Sequence, residues 1–162
     1  MKAAKLPQLS GIDVYMDQNV KTHTVGTITG TPLMTVTVAG AADVTYGAAL
    51  TSMTSSVTID VFGGTDNVVN AGDVFTMSNV FAVNPVTKAT KDFLQPFVVI
   101  SAAAIATGTI TMTIYPAVIT TGPYQTVSQS PVNNTTVTFL GSSATGYRQN
   151  LAFHRDAFAL VT

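Results

Sequence analysis

Threonine alternates with large apolar residues in the run "TGTITMTI", residues 107–114. A two-residue period puts the polar side chains on one face of a strand and the apolar ones on the other. The runs "LMTVTVA" (33–39) and "SVTIDVF" (56–62) repeat the pattern. An α-helix would scatter these apolar residues around its axis, so the pattern restricts the chain to β-structure with one buried face.

Turn-forming residues separate the apolar runs at short intervals, which is typical of antiparallel sheets. We therefore predict an all-β domain, an antiparallel six- to seven-stranded barrel or sandwich. The candidate strands are 23–29, 33–39, 56–62, 73–83, 97–101, 108–116 and 134–140. The segments 40–50, 63–72, 84–92 and 120–134 are predicted loops, and only "ISAAAIA" (100–106) is compatible with a turn or two of helix.

The charge composition excludes several classes of partner. Charged residues make up 9% of the chain, the net charge is −1 and there is no cysteine. Such a chain has no basic surface for specific nucleic-acid binding and no disulfide framework. The most apolar stretch, 96–120, alternates as a strand does, so we predict no membrane span, and the polar stretch after Met1–Pro7 does not fit a secretory signal.

One short motif suggests phosphoryl transfer and fails on inspection. His154, Arg155 and Asp156 spell the start of a protein-kinase catalytic loop. That loop needs an asparagine five positions after the aspartate to bind metal, and Val161 stands there instead. The chain also lacks a G-x-S-x-G nucleophile motif and any glutamate. We predict no enzyme, no catalytic residue and no cofactor.

Two groups of residues offer metal ligands, and neither has a ligand spacing that favours metal. His23 and His154 are the only histidines, and a zinc site would need a carboxylate such as Asp13 or Asp156 as well. In "GGTDNVVNAGD", Asp66, Asn67, Asn70 and Asp73 could supply oxygens to calcium. Asp and Asn are equally typical of β-turns, so we interpret the second group as turn residues.

Few charges and abundant Thr, Val and Ala favour a surface that packs against copies of itself, as in viral shells. A secreted or cell-surface β-domain that binds a carbohydrate or a protein partner is the alternative.

Three stretches resemble the major coat protein of short-tailed phages of the Salmonella phage P22 type. They are "LSGIDVYMDQNVKTHTVG" (9–26), "AGDVFTMSNVFAVNPVTKATKDFLQPFVV" (71–99) and "YRQNLAFHRDAFALV" (147–161). The resemblance implies a capsid subunit of the Hong Kong ninety-seven type fold that carries an inserted β-barrel. Residues 22–140 would form the insertion domain, residues 1–21 would lead in from the parent capsid domain, and residues 141–162 would return to it.

The resemblance also implies what the chain does and what it contacts. The subunit would assemble with other copies of the coat protein and with a scaffolding protein, in a virion made in the bacterial host cytoplasm. The family's N-terminal arm, long spine helix and C-terminal part have no match in this sequence, which indicates a fragment. In this fragment the barrel is expected to contribute most of the stability. The family's charged capsomer-bridging loop matches 40–56, which keeps one charge, so its salt-linking role is not carried over. The candidate inter-subunit contacts are Asp43, Asp66, Asp73, Lys88, Lys91 and Asp92.

Overall fold

The computed structural model describes residues 4–5, 13–16, 19–28, 30–35, 52–60, 67–101, 103–104, 108–150 and 152. These residues form β-strands and no helix, which confirms the all-β prediction. The strands are β1 (Ala4–Lys5), β2 (Tyr15–Met16), β3 (Thr22–Thr24), β4 (Leu33–Met34), β5 (Ser55–Asp60), β6 (Val68–Val69), β7 (Val74–Val83), β8 (Thr90–Val99), β9 (Ala103–Ala104), β10 (Thr109–Tyr115), β11 (Val137–Phe139) and β12 (Gly146–Arg148).

Six strands make the main sheet, in the order β11-β7-β8-β10-β5-β4, and all neighbours are antiparallel. In β10 threonines alternate with apolar residues, and the apolar side chains are the buried ones: Ile110, Met112 and Ile114 are at most 1% exposed. The threonines between them face outward, and the hydroxyls of Thr58 and Thr111 lie 2.8 Å apart on that face.

The two edges of the main sheet meet and nearly close it into a barrel. Leu33 of β4 forms a bridge with Thr136, directly before β11. The N–H of Met34 donates to the Thr135 carbonyl at 2.8 Å, and the N–H of Asn134 donates to the Met34 carbonyl at 2.8 Å. Of the two architectures left open by the sequence, the structure has the barrel.

Aromatic rings fill one part of the barrel interior. Phe75 stacks on Phe97 with ring centroids 5.7 Å apart and packs in a tilted arrangement against Phe139 at 5.3 Å. The largest fully buried side chains are Phe75, Phe97, Met34, Ile59, Met77, Ile110, Met112, Ile114, Ile119, Val69, Val80 and Val99.

The chain divides into two compact units. The barrel unit is Thr24–Thr145, and the flanking unit is Met1–His23 with Gly146–Thr162. In the barrel unit, the N–H of Val25 donates to the Thr145 carbonyl at 3.1 Å and the N–H of Ala144 donates to the Gly26 carbonyl at 3.2 Å. The first and last residues of the barrel unit are therefore neighbours. The flanking unit contains the β1–β2 pair and β12.

Three local predictions are corrected. Strand β8 begins at Thr90, within the predicted loop 84–92. Both faces of this part of the hairpin are partly exposed, so its sequence has no apolar alternation that would predict a strand. Ala103–Ala104, within the possible helical segment 100–106, is a strand paired with Val68–Val69. Alanine favours helix intrinsically, but the hydrogen bonds to β6 outweigh that preference. Strand β6 in turn lies within the predicted loop 63–72.

Other predictions fall outside the described residues. They concern the ends of the predicted strands at 36–39 and 61–62, the loop 40–50, and the segment "LAFHRDAFALV" apart from Ala152.

Candidate contact surface

The β7–β8 hairpin carries three of the six predicted contact residues. Its loop is held by Asn84, whose side-chain oxygen accepts the N–H of Val86 at 2.8 Å and of Thr87 at 3.2 Å. The N–H of Asn84 donates to the Ala89 carbonyl at 2.8 Å. An Asx turn of this kind replaces strand pairing with local hydrogen bonds, so the loop has a defined conformation.

Lys88 is attached to a second loop of the barrel unit. Its backbone is left-handed, with φ of 60°, and its ammonium group donates to the carbonyl of Pro123. The bond joins the hairpin loop to the segment after β10. Lys88 therefore holds the hairpin in place, and its charge is partly committed within the chain.

The outward part of the hairpin combines charge with exposed apolar surface. Val86 is 87% exposed and Phe93 is 54% exposed. The ammonium of Lys91 lies 5.4 Å from the centroid of the Phe93 ring, which is a cation–π distance. Asp92 beside them is exposed. Aromatic side chains such as Phe93 are enriched at protein–protein interfaces.

Asp73 is removed from the predicted contact residues, because the structure buries it at 1% exposure. One carboxylate oxygen accepts the N–H of Asn70 at 2.8 Å and the N–H of Gly26 at 3.1 Å. The side chain of Asn70 donates to the Thr24 carbonyl at 2.9 Å. These bonds stabilise a turn and connect it to the start of the barrel unit, so the carboxylate serves the fold of its own chain.

The remaining predicted residues are placed as follows. Asp43, Asp66 and His154 lie outside the described residues. His23 lies in β3, half-buried and with an interaction partner. Over the described ranges, no three His, Asp, Glu or Cys side chains come together as metal ligands would, and no helix is long and apolar enough to cross a membrane.

An open cleft of the barrel unit lies beside β11. Its lining combines apolar side chains such as Val25, Ile28 and Phe139 with the hydroxyl residues Thr31, Thr136 and Ser143. The described lining has no carboxylate, imidazole or amine. The cleft therefore offers shape and main-chain groups but no general acid or base.

Sequence reasoning missed Val86 and Phe93 as surface residues. The signal for Val86 was present in "NPVT" (84–87), where an apolar residue directly follows an Asn-Pro turn and cannot reach a core. No local signal identifies Phe93, because its exposure depends on how far the hairpin extends beyond the barrel.

Comparisons with known proteins relate the chain to phage coat proteins. A family model described as "P22 coat protein - gene protein 5" matches residues 2–162. A solved structure described as "CUS-3 coat protein I-domain" is similar at 22% sequence identity, with a TM-score of 0.39, over 76% of this chain and 98% of that one. No curated protein sequence matches the chain.

Proposed function

The chain belongs to the P22 coat protein family, and from this premise we propose that its barrel is the insertion domain of a phage coat subunit. Members of this family are structural proteins of the phage capsid and assemble with other coat protein copies. The chain is accordingly a capsid component of the virion. The proposed task of the barrel is to aid folding of the subunit and to supply contacts between capsomers.

The adjacent ends of the barrel unit support an inserted position. Val25 and Thr145 are joined by a hydrogen bond, so the barrel begins and ends at one place. A domain with neighbouring ends can occupy a loop of another domain without separating the strands on either side. We propose that the inserted domain, predicted from sequence as 22–140, corresponds to this barrel unit Thr24–Thr145, and that the residues before and after it are parts of the parent capsid domain.

The self-contained core supports the role in folding. The cluster around Phe75 and Phe97 lies within the barrel unit, and its strands pair over long sequence distances. A unit that buries its own apolar residues can fold without the rest of a subunit. The stability of such a unit is then available to the rest of the subunit.

The exposed β7–β8 hairpin is the main support for the contact role. Val86 is exposed on a loop that Asn84 and Lys88 hold in one conformation, and Phe93 is exposed on the adjoining strand β8. A preorganised apolar tip loses little conformational entropy on binding. We propose Val86, Lys91, Asp92 and Phe93 as the contact residues, with Lys88 holding their loop.

Further partners follow from the family resemblance. We propose that the full subunit binds a scaffolding protein and is made in the bacterial host cytoplasm. Family membership favours the coat role over the alternative of a secreted or cell-surface domain that binds a carbohydrate or a protein.

Electron microscopy of particles made from a complete coat gene carrying this sequence tests the function. Closed shells are expected, and a product that stays unassembled with its scaffolding protein would contradict the coat role.

Hydrogen exchange on the chain itself tests the domain division. We expect strong protection in β7, β8 and β10 and weak protection in residues 1–21 and 146–150, while equal protection throughout would contradict it.

A further inference from the structure

We propose that an apolar stripe on the outer face of the barrel is a twofold contact between two copies of this chain. The stripe consists of Leu140, Val74, Val98 and Tyr115 in one row, with Ile100 beside it. This inference rests on the proposed coat-subunit role and deepens it, since it names a surface and its partner.

The strand register builds the row. Val74 pairs with Val98, and Val98 pairs with Tyr115, across β7, β8 and β10. The N–H of Leu140 donates to the Val74 carbonyl at 2.8 Å, which extends the row past the end of β11. Residues directly opposite each other in a sheet share a face. The four side chains therefore form one line across four strands.

This line faces away from the core. The neighbours in sequence Phe75, Phe97, Val99 and Ile114 are buried at 0–1% exposure, and side chains alternate between faces along a strand. Leu140 is 71% exposed, and Tyr115 and Ile100 are each 50% exposed. Ile100 follows the end of β8 two residues after Val98, so its side chain lies on the same face. The N–H of Ile100 donates to the Thr113 carbonyl at 2.8 Å.

Three strongly exposed apolar side chains in one patch need an explanation. Scattered apolar residues are normal on a surface, whereas a contiguous patch of roughly 300–600 Å² is often a functional site. A standard interface buries about 800 Å² on each partner. The side chains of the stripe would form only the apolar centre of such an interface, with additional contacts around it.

The surroundings of the stripe favour a second copy as the occupant. Its described neighbours on the outer face are uncharged: Thr76 and Thr138 on one side and Thr113 on the other. Two copies can therefore face each other without like-charge repulsion, and hydroxyl groups form the polar rim that interfaces usually have. A basic or acidic partner would find no complementary charge in this patch.

A twofold axis at the middle of the stripe makes a specific pairing. We place the axis in the plane of the interface and perpendicular to the row from Leu140 to Tyr115, so that Leu140 of one copy lies opposite Tyr115 of the other. Contacts of this isologous kind are the commonest in homo-oligomers. The pairing occurs twice in each dimer.

Sedimentation of the chain over a concentration series tests the proposal. We expect reversible dimers at sub-millimolar concentration, and a dissociation constant at least about tenfold weaker for Leu140→Lys and for Tyr115→Asp. An equimolar mixture of the two variants should recover the wild-type affinity, because the new lysine faces the new aspartate at one end and the native pair remains at the other.

Val132→Lys is the matched control, since Val132 is 57% exposed and lies outside the stripe. It should dimerise like the wild type, and all variants should keep the wild-type melting temperature. A wild-type chain that stays monomeric to about 1 mM would overturn the proposal. So would equal weakening by the control, or a mixture that does not recover affinity.

The coat role and this inference can fail separately. Shells that assemble normally from a complete coat gene with Leu140→Lys would overturn the twofold contact and leave the coat role intact. If the wild-type gene gives no shells, the coat role fails, and the mixing experiment on the chain still decides whether the stripe binds a second copy.

Discussion

The carboxylate of Asp73 accepts a hydrogen bond from the backbone N–H of Gly26, 47 residues away in the chain, at 3.1 Å. The same oxygen accepts the N–H of Asn70, so one buried side chain satisfies two segments of backbone. Gly26 also lies at the place where the barrel unit begins and ends. The bond thus ties an internal turn to the point at which the chain enters the barrel.

Asp73→Ala should destabilise the chain by about 3 kcal/mol, because it leaves the buried N–H of Gly26 and the partly buried N–H of Asn70 without their acceptor. Urea unfolding followed by circular dichroism measures the change. Asp92→Ala is the control, since Asp92 is exposed, and it should stay within about 0.5 kcal/mol of wild type. Equal effects of the two substitutions would contradict the role given to Asp73.

Gly26→Ala should be more severe, at about 3 kcal/mol or more. A Cβ at Gly26 would lie 2.1 Å from the Val68 carbonyl oxygen and 2.9 Å from the Val69 Cα, and both are backbone atoms. Gly122→Ala provides the comparison: its φ of +86° costs roughly 1–2 kcal/mol, but a Cβ there meets nothing within 4 Å. A Gly26→Ala chain as stable as the Gly122→Ala chain would show that the strands can move apart.

Ala144→Gly should stabilise the chain by about 0.5–1 kcal/mol, since Ala144 has a left-handed φ of 54° that glycine adopts without strain. A rise in the melting temperature measures the gain. Ala71→Gly, in another exposed turn whose φ is ordinary, should lower the melting temperature instead. A decrease in both would argue against strain at Ala144.

Val86→Ser and Phe93→Ser should leave the melting temperature unchanged, because both side chains are exposed. If the hairpin contacts a neighbouring subunit, each substitution removes apolar contact area that only the assembly buries. The concentration needed for assembly from a complete coat gene should then rise about tenfold. Thr87→Ser, in the same loop, should assemble normally, and unchanged assembly of all three would remove the hairpin from the contact surface.

Sequence periodicity predicted the strands whose two faces have different surroundings. β10 is the clearest case, since Ile110 and Met112 are buried and the threonines beside them face outward. The first half of β8 escaped prediction for the opposite reason. Both of its faces are partly exposed, so Thr90 and Asp92 carry no alternation, and their strand geometry comes from pairing with β7.

The contact residues were harder to predict than the strands. Asp73 was correctly interpreted as a turn residue, but its partner Gly26 is distant in the chain and no local pattern reports it. The apolar stripe depends on register, because Leu140 and Tyr115 become members of one row only after three strand pairings are known. Local sequence contains the alternation but not the register.

The closure of the barrel has a consequence for synthesis on the ribosome. Leu33 of β4 pairs with Thr136, which the ribosome adds about a hundred residues later. At roughly 5–20 residues per second, the nascent chain waits on the order of 5–20 seconds for this partner. During that interval β4 has a free edge, which is open to pairing with a neighbouring nascent chain. Translation speed between these two codons is therefore a variable that can decide between a folded barrel and an aggregate.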